Sequence, residues 1–98
     1  MKGLMFNLLF NLSHKLYVMS NKEKYDEAFI ESFSIDANEL NEKLEYNSIA
    51  TWDSIGHMQM IAELEDAFEI ELEMDDIINF SSYNKGMEIL AKYGIEVN

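Results

Sequence analysis

The chain of 98 residues has no cysteine, no proline, no arginine and only four glycines. Without cysteine it can form neither a disulfide framework nor a thiolate metal site, which suits a reducing cytoplasm, where a monomer is expected. Without proline, and with so few glycines, helices meet few obligatory breaks, so an all-α fold is favoured over a turn-rich β fold. The missing arginine leaves seven lysines against 19 Asp and Glu, a formal net charge of −12. Such a surface repels a phosphate backbone, which argues against nucleic acid, and it attracts proteins that present basic docking patches. Hydrophobic residues make up 48% of the chain. That is enough for one small domain of marginal stability.

No hydrophobic run is long enough to cross a bilayer. Residues 1–18 concentrate Leu4, Met5, Phe6, Leu8, Leu9, Phe10, Leu12 and Leu16, but Asn7 and Asn11 interrupt them. A span needs about 20 predominantly apolar residues. A secretory signal would need an unbroken apolar stretch and a small-residue cleavage site, and neither is there. The spacing of Met5, Leu8 or Leu9, Leu12 and Leu16 is also compatible with an amphipathic helix against a partner or membrane surface. The chain therefore divides into a leader or accessory segment, 1–18, and a compact domain, 19–98.

Within that domain, Tyr25, Ala28, Phe29, Ile30 and Phe33 recur at helical spacing, with Ser20 or Asn21 as N-cap and Glu23 behind. A long connection over 34–53 follows, with room for one helical turn near 38–43. Asp53 or Ser54 caps a second helix whose stripe is Ile55, Met58, Ile61 or Ala62, Leu64 and Phe68. Ile70 to Met74 alternates like a strand, but no second strand is available to pair with it, so an extended linker is expected. Asp75 opens a short third helix to Phe80. Ser81 or Ser82 caps a fourth that Gly94 stops. Phe29, Phe33, Ile61, Leu64, Phe68, Ile70, Ile77, Leu90 and Ile95 are the expected core. Met60, Met74 and Met87 lie beside it as pliable filler that could part for an apolar guest.

Between Lys43 and Lys85 there is no Lys or Arg, while Asp and Glu crowd the interval. Charge runs are ordinarily solvated faces. The informative stretch inside it is Trp52-Asp53-Ser54-Ile55-Gly56-His57-Met58, followed by Met60 to Phe68. Ser54 at a helix N-terminus suits a phosphate, because free N–H groups and the positive dipole end favour negative charge there. A hydrolytic serine is disfavoured: His14 and His57 are the only histidines, and no oxyanion hole is signalled. His57 is expected to face solvent or a partner. Asp75-Asp76 lacks the spaced carboxylates and central glycine of a calcium loop, and no metal site is expected.

Asp53-Ser54-Ile55 at a helix start, Leu64-Glu65-Asp66-Ala67-Phe68 at its end, the acidic Asp75-Asp76-Ile77 and Phe80-Ser81-Ser82 together resemble the acyl carrier protein family over about residues 20–94. The resemblance implies a small four-helix bundle with three main helices, a short third and a long loop between the first two. It implies 4'-phosphopantetheine on Ser54, attached from coenzyme A by a phosphopantetheinyl transferase, with Asp53 in support. The domain itself would be non-catalytic, shuttling thioester-bound acyl groups between loading and processing enzymes. Docking would use Ile55, Met58 and Ala62 for apolar contact and Glu63, Glu65, Asp66, Asp75 and Asp76 for basic residues of those enzymes. Gly56, His57 and Gln59 depart from the fatty-acid-synthesis pattern and point to a dedicated lipid, polyketide or surface-glycan pathway. The rivals are an aminoacyl or D-alanyl carrier with the same arm and an acidic helical adaptor without one.

Overall fold

A computed structural model describes residues 19–98, so the segment 1–18 lies outside the described residues. The described residues form four α-helices and one 3-10 turn: α1 (Asn21–Phe33), the turn Ala37–Glu39, α2 (Ser54–Phe68), α3 (Met74–Asn79) and α4 (Tyr83–Ala91). Each main helix starts where a side chain can satisfy its unpaired N–H groups. Ser20 and Glu23 form a reciprocal capping box on α1. Asp53 caps α2 through the Gly56 N–H at 2.8 Å, and Ser82 caps α4 through Lys85 N–H at 2.9 Å. The expected turn near 38–43 lies slightly earlier, at Ala37–Glu39.

Helices α1 and α2 end alike. Ser34 and Glu69 adopt left-handed conformations (φ 55° and 53°), and the following isoleucine N–H returns to a carbonyl five residues back. These bonds are Ile35 to Ile30 at 3.3 Å and Ile70 to Glu65 at 3.1 Å. That arrangement satisfies orphan carbonyls and turns an apolar side chain back toward the helix. Residues 70–73 form no strand, and Glu73 at their end is extended. The connection between α1 and α2 is tied to the junction of α3 and α4: Tyr46 N–H bonds Ser81 O and Tyr83 N–H bonds Leu44 O, each at 2.9 Å.

The core is more aromatic than the sequence stripes indicate. Phe29, Phe33, Ile61, Leu64 and Leu90 are buried as expected, while Phe68, Ile70, Ile77 and Ile95 are only partly buried around them. Tyr25, Trp52, Met60, Phe80 and Tyr83 fill the centre instead. Trp52 stacks on Phe33 (centroids 4.9 Å, 22°), and Phe29 meets Trp52 and Tyr83 edge-on at 5.6 and 5.3 Å. The buried Tyr25 hydroxyl donates to Tyr83 O at 2.7 Å, and burial pushes that phenol's pKa well up. Gly86 lets α4 approach this cluster, because a Cβ there would lie 2.2 Å from Phe80 and from the Tyr25 hydroxyl. Methionines divide. Met60 is sealed in the core, but Met74 is 69% exposed, which corrects its expected place as filler.

Candidate functional site

Ser54 is the first residue of α2, and it is exposed. A buried hydroxyl at this position would have ruled out its use as a tether. Asp53 holds the helix start, taking the Gly56 N–H on its carboxylate and the His57 N–H (2.8 Å) on its carbonyl. Gly56 has a specific reason to be glycine: an added Cβ would sit 2.0 Å from the carbonyl oxygen of Thr51. The loop thus presses its backbone against the first turn of α2, and only a residue without a side chain allows it.

A cavity of about 400 Å³ opens beside Ser54, between α2 and α3. Its lining is mainly apolar, with Met58 from α2, Met74, Ile77 and Ile78 from α3, and Tyr46 from the loop. Tyr46, Ile55, Met58, Met74 and Ile78 are the large hydrophobic side chains left exposed among the described residues, and four of them line this groove. Ile55 (79% exposed) is adjacent to Ser54 in the chain. Tyr46 and Ile78 at the groove have no signal in the sequence, because loop position and a six-residue helix carry no readable stripe.

His57 was expected to face solvent or a partner; its ring nitrogens are instead bonded within the protein, although the residue lines the groove. Its ring is half-buried, with Nδ1 accepting from the Trp52 indole N–H at 3.0 Å and Nε2 2.8 Å from Ile77 O. Both nitrogens are therefore committed away from Ser54.

The acidic residues separate into distinct groups. Ala62, Asp66 and Asp75 are exposed, as is Met58 at 52%. Glu65 gives one carboxylate oxygen to the Leu72 N–H at 2.9 Å, tying down the linker. Glu63 is half-buried on the side of α1; burial and the neighbouring Glu31, Glu27 and Asp66 hold its carboxyl above the usual carboxylate range. Asp76 is the clear correction to the expected docking set. Its side chain is only 8% exposed and lies 2.5 Å from Lys92 Nζ and 2.6 Å from the Tyr93 hydroxyl. Those hydrogen bonds, from Lys92 first and then Tyr93, hold its pKa below the usual carboxylate range, so this acid fastens α3 to the end of α4 and has no face for a partner. Among the described residues no cluster of His, Asp or Glu could hold a metal ion, and no helix is long and apolar enough to cross a membrane.

The described residues thus bring together an exposed serine at a helix N-terminus and an apolar groove, within an acidic helical bundle. Residues 52–85 match the family model described as the phosphopantetheine attachment site, in agreement with the acyl-carrier resemblance of the same stretch. The group this segment serves is covalent 4'-phosphopantetheine. Neither the curated proteins nor the solved structures return a match. The residues present fit the group. The first N–H groups of α2 favour its phosphate, and the groove offers apolar cover along the α2–α3 seam.

Proposed function

We propose that the protein is an acyl carrier protein whose Ser54 Oγ forms the phosphodiester to 4'-phosphopantetheine. The observation that carries this reading is the exposure of Ser54 at the start of α2, inside the matched segment and at the mouth of an apolar groove. The bound arm supplies a thiol that holds an acyl group as an activated thioester. The chain's own residues do the rest. Asp53 fixes the first turn of α2 so that Ser54 is presented outward. The free N–H groups and dipole of that turn stabilise the phosphodiester charge.

Docking to the transferase and to acyl-handling enzymes is assigned to the rim around Ser54. Ile55 and Met58 supply apolar contact, extended by Met74, Ile78 and Tyr46, while Ala62, Asp66 and Asp75 continue the exposed face. Glu63 and Glu65 stand at its edge and Asp76 is withdrawn from it. The domain acts as a non-catalytic, cytoplasmic shuttle in a dedicated lipid, polyketide or surface-glycan pathway. The apolar lining of the groove favours an acyl cargo over the polar aminoacyl or D-alanyl one.

The test is intact-mass measurement after incubation with coenzyme A, magnesium and a broad-specificity transferase. The wild-type chain is expected to gain one phosphopantetheinyl group, and Ser54→Ala none. An unchanged wild-type mass, under conditions that modify a control carrier, would refute the assignment in favour of the adaptor.

A further inference from the structure

The imidazole of His57 joins three elements. Indole N–H groups only donate, so Nδ1 accepts from Trp52 and the ring proton resides on Nε2, which donates to Ile77 O. Ile77 lies in the last turn of α3, where carbonyls lack an intrahelical donor. His57 therefore caps the C-terminal end of α3 from the neighbouring helix. This short helix has little else of its own. At six residues it is below the length at which a helix sustains itself, and Glu73 gives it no side-chain cap. Its other polar ties run to the opposite side, from Asp76 to Lys92 and Tyr93, and from the Glu73 N–H to the Tyr93 hydroxyl at 2.9 Å. Only the His57 tie reaches it from the helix that bears Ser54.

The ring is held in place by aromatic neighbours, edge-on to Tyr46 (5.7 Å, 90°) and Phe80 (6.3 Å, 76°). It lines the same groove as Ser54, Met58, Met74, Ile77 and Ile78. We propose that His57 is a positioning residue that couples α3 to the helix bearing Ser54 and so sets the width of the groove that receives the acyl group. The groove's use for an acyl group rests on the acyl carrier reading; the coupling of α3 to α2 does not.

The test compares His57→Phe, which keeps an aromatic ring and loses both hydrogen bonds, with His57→Gln, whose amide can both accept and donate. In the apo protein, amide hydrogen exchange over residues 74–80 is expected to rise about tenfold in His57→Phe, the factor for about 1.4 kcal/mol of lost hydrogen bonding. Exchange in α1 is expected to stay unchanged, and His57→Gln to recover part of the protection. In the octanoyl-loaded protein, release of the thioester by hydroxylamine is expected to be several-fold faster in His57→Phe than in wild type. Unchanged exchange in α3, or an equal rise through every helix, would overturn the positioning role. Faster α3 exchange with unaltered thioester release would overturn the link to the groove. Failure of the wild-type chain to accept the arm would instead sink the acyl carrier reading, and the exchange experiment would still decide the coupling. If His57→Phe does not fold, His57→Gln is compared with wild type alone, with a smaller rise in exchange over residues 74–80 expected and the same outcomes overturning the role.

Discussion

Replacing Gly56 with alanine sets two physical effects against each other. Intrinsic helix propensity favours alanine over glycine by about 1 kcal/mol in a helix interior, and by less in a first turn such as this. Against it stands the 2.0 Å separation between the added Cβ and the Thr51 carbonyl oxygen, about 1 Å inside the closest approach that real Cβ atoms show. The obstacle is backbone, which cannot swing aside as a side chain would. Overpacking of this kind costs about 1–3 kcal/mol. The same Cβ falls 3.4 Å from Asp53 Oδ1, the oxygen that caps Gly56, and a weakened N-cap adds about 1 kcal/mol. The balance is a loss of about 2 kcal/mol, or roughly 10 °C in Tm for a domain of this size. Urea unfolding followed by far-UV circular dichroism measures it, with the slope m unchanged and the midpoint lowered. An alanine variant as stable as the parent would show that propensity decides at this position and that Thr51 does not press on α2.

Two further substitutions probe the acids. Asp76→Asn should flatten the acid limb of stability: the depressed pKa of Asp76 contributes stability above the ordinary value of 3.8 that is lost as pH falls through its folded-state value. Thermal melts from pH ~7 down to ~2 check this, and a variant with the same acid slope as wild type would contradict the buried clamp. Glu63→Gln should act in the opposite sense, because a raised pKa means the folded state is penalised once pH exceeds the ordinary 4.5 and the carboxylate ionises. The Gln variant is expected to melt higher than wild type at pH ~7 and to lose that advantage at pH ~3; an equal advantage at both would contradict the crowding with Glu27 and Glu31.

Helix starts were readable because their chemistry is local. Ser20 with Glu23, Asp53 with Gly56 and Ser82 with Lys85 each act across three residues, within reach of a pattern. Ser54 stands out through the family resemblance of the residues around it, because a serine at a helix start is by itself ordinarily only a cap. Features that depend on distant chain segments were not readable. His57 meets a carbonyl twenty residues onward, and carbonyls leave no trace in residue identity. Asp75 and Asp76 are alike in sequence, yet one is exposed and the other is enclosed by Lys92 and Tyr93 from beyond α4. Trp52, at the end of a loop, and Phe80, between two helices, lie outside any helical stripe and so escaped the expected core, although both are fully buried. Gly56 was noticed only as a departure from a family pattern, since the close approach of Thr51 is a property of the folded loop.

Trp52 has a consequence for how the protein can be watched. It is the chain's single tryptophan, sealed from water and two residues ahead of Ser54. An enclosed indole fluoresces at shorter wavelength than a hydrated one, so the colour and intensity of the intrinsic emission report on this one locality. Unfolding, which exposes that indole to water, can therefore be followed optically in the unlabelled molecule.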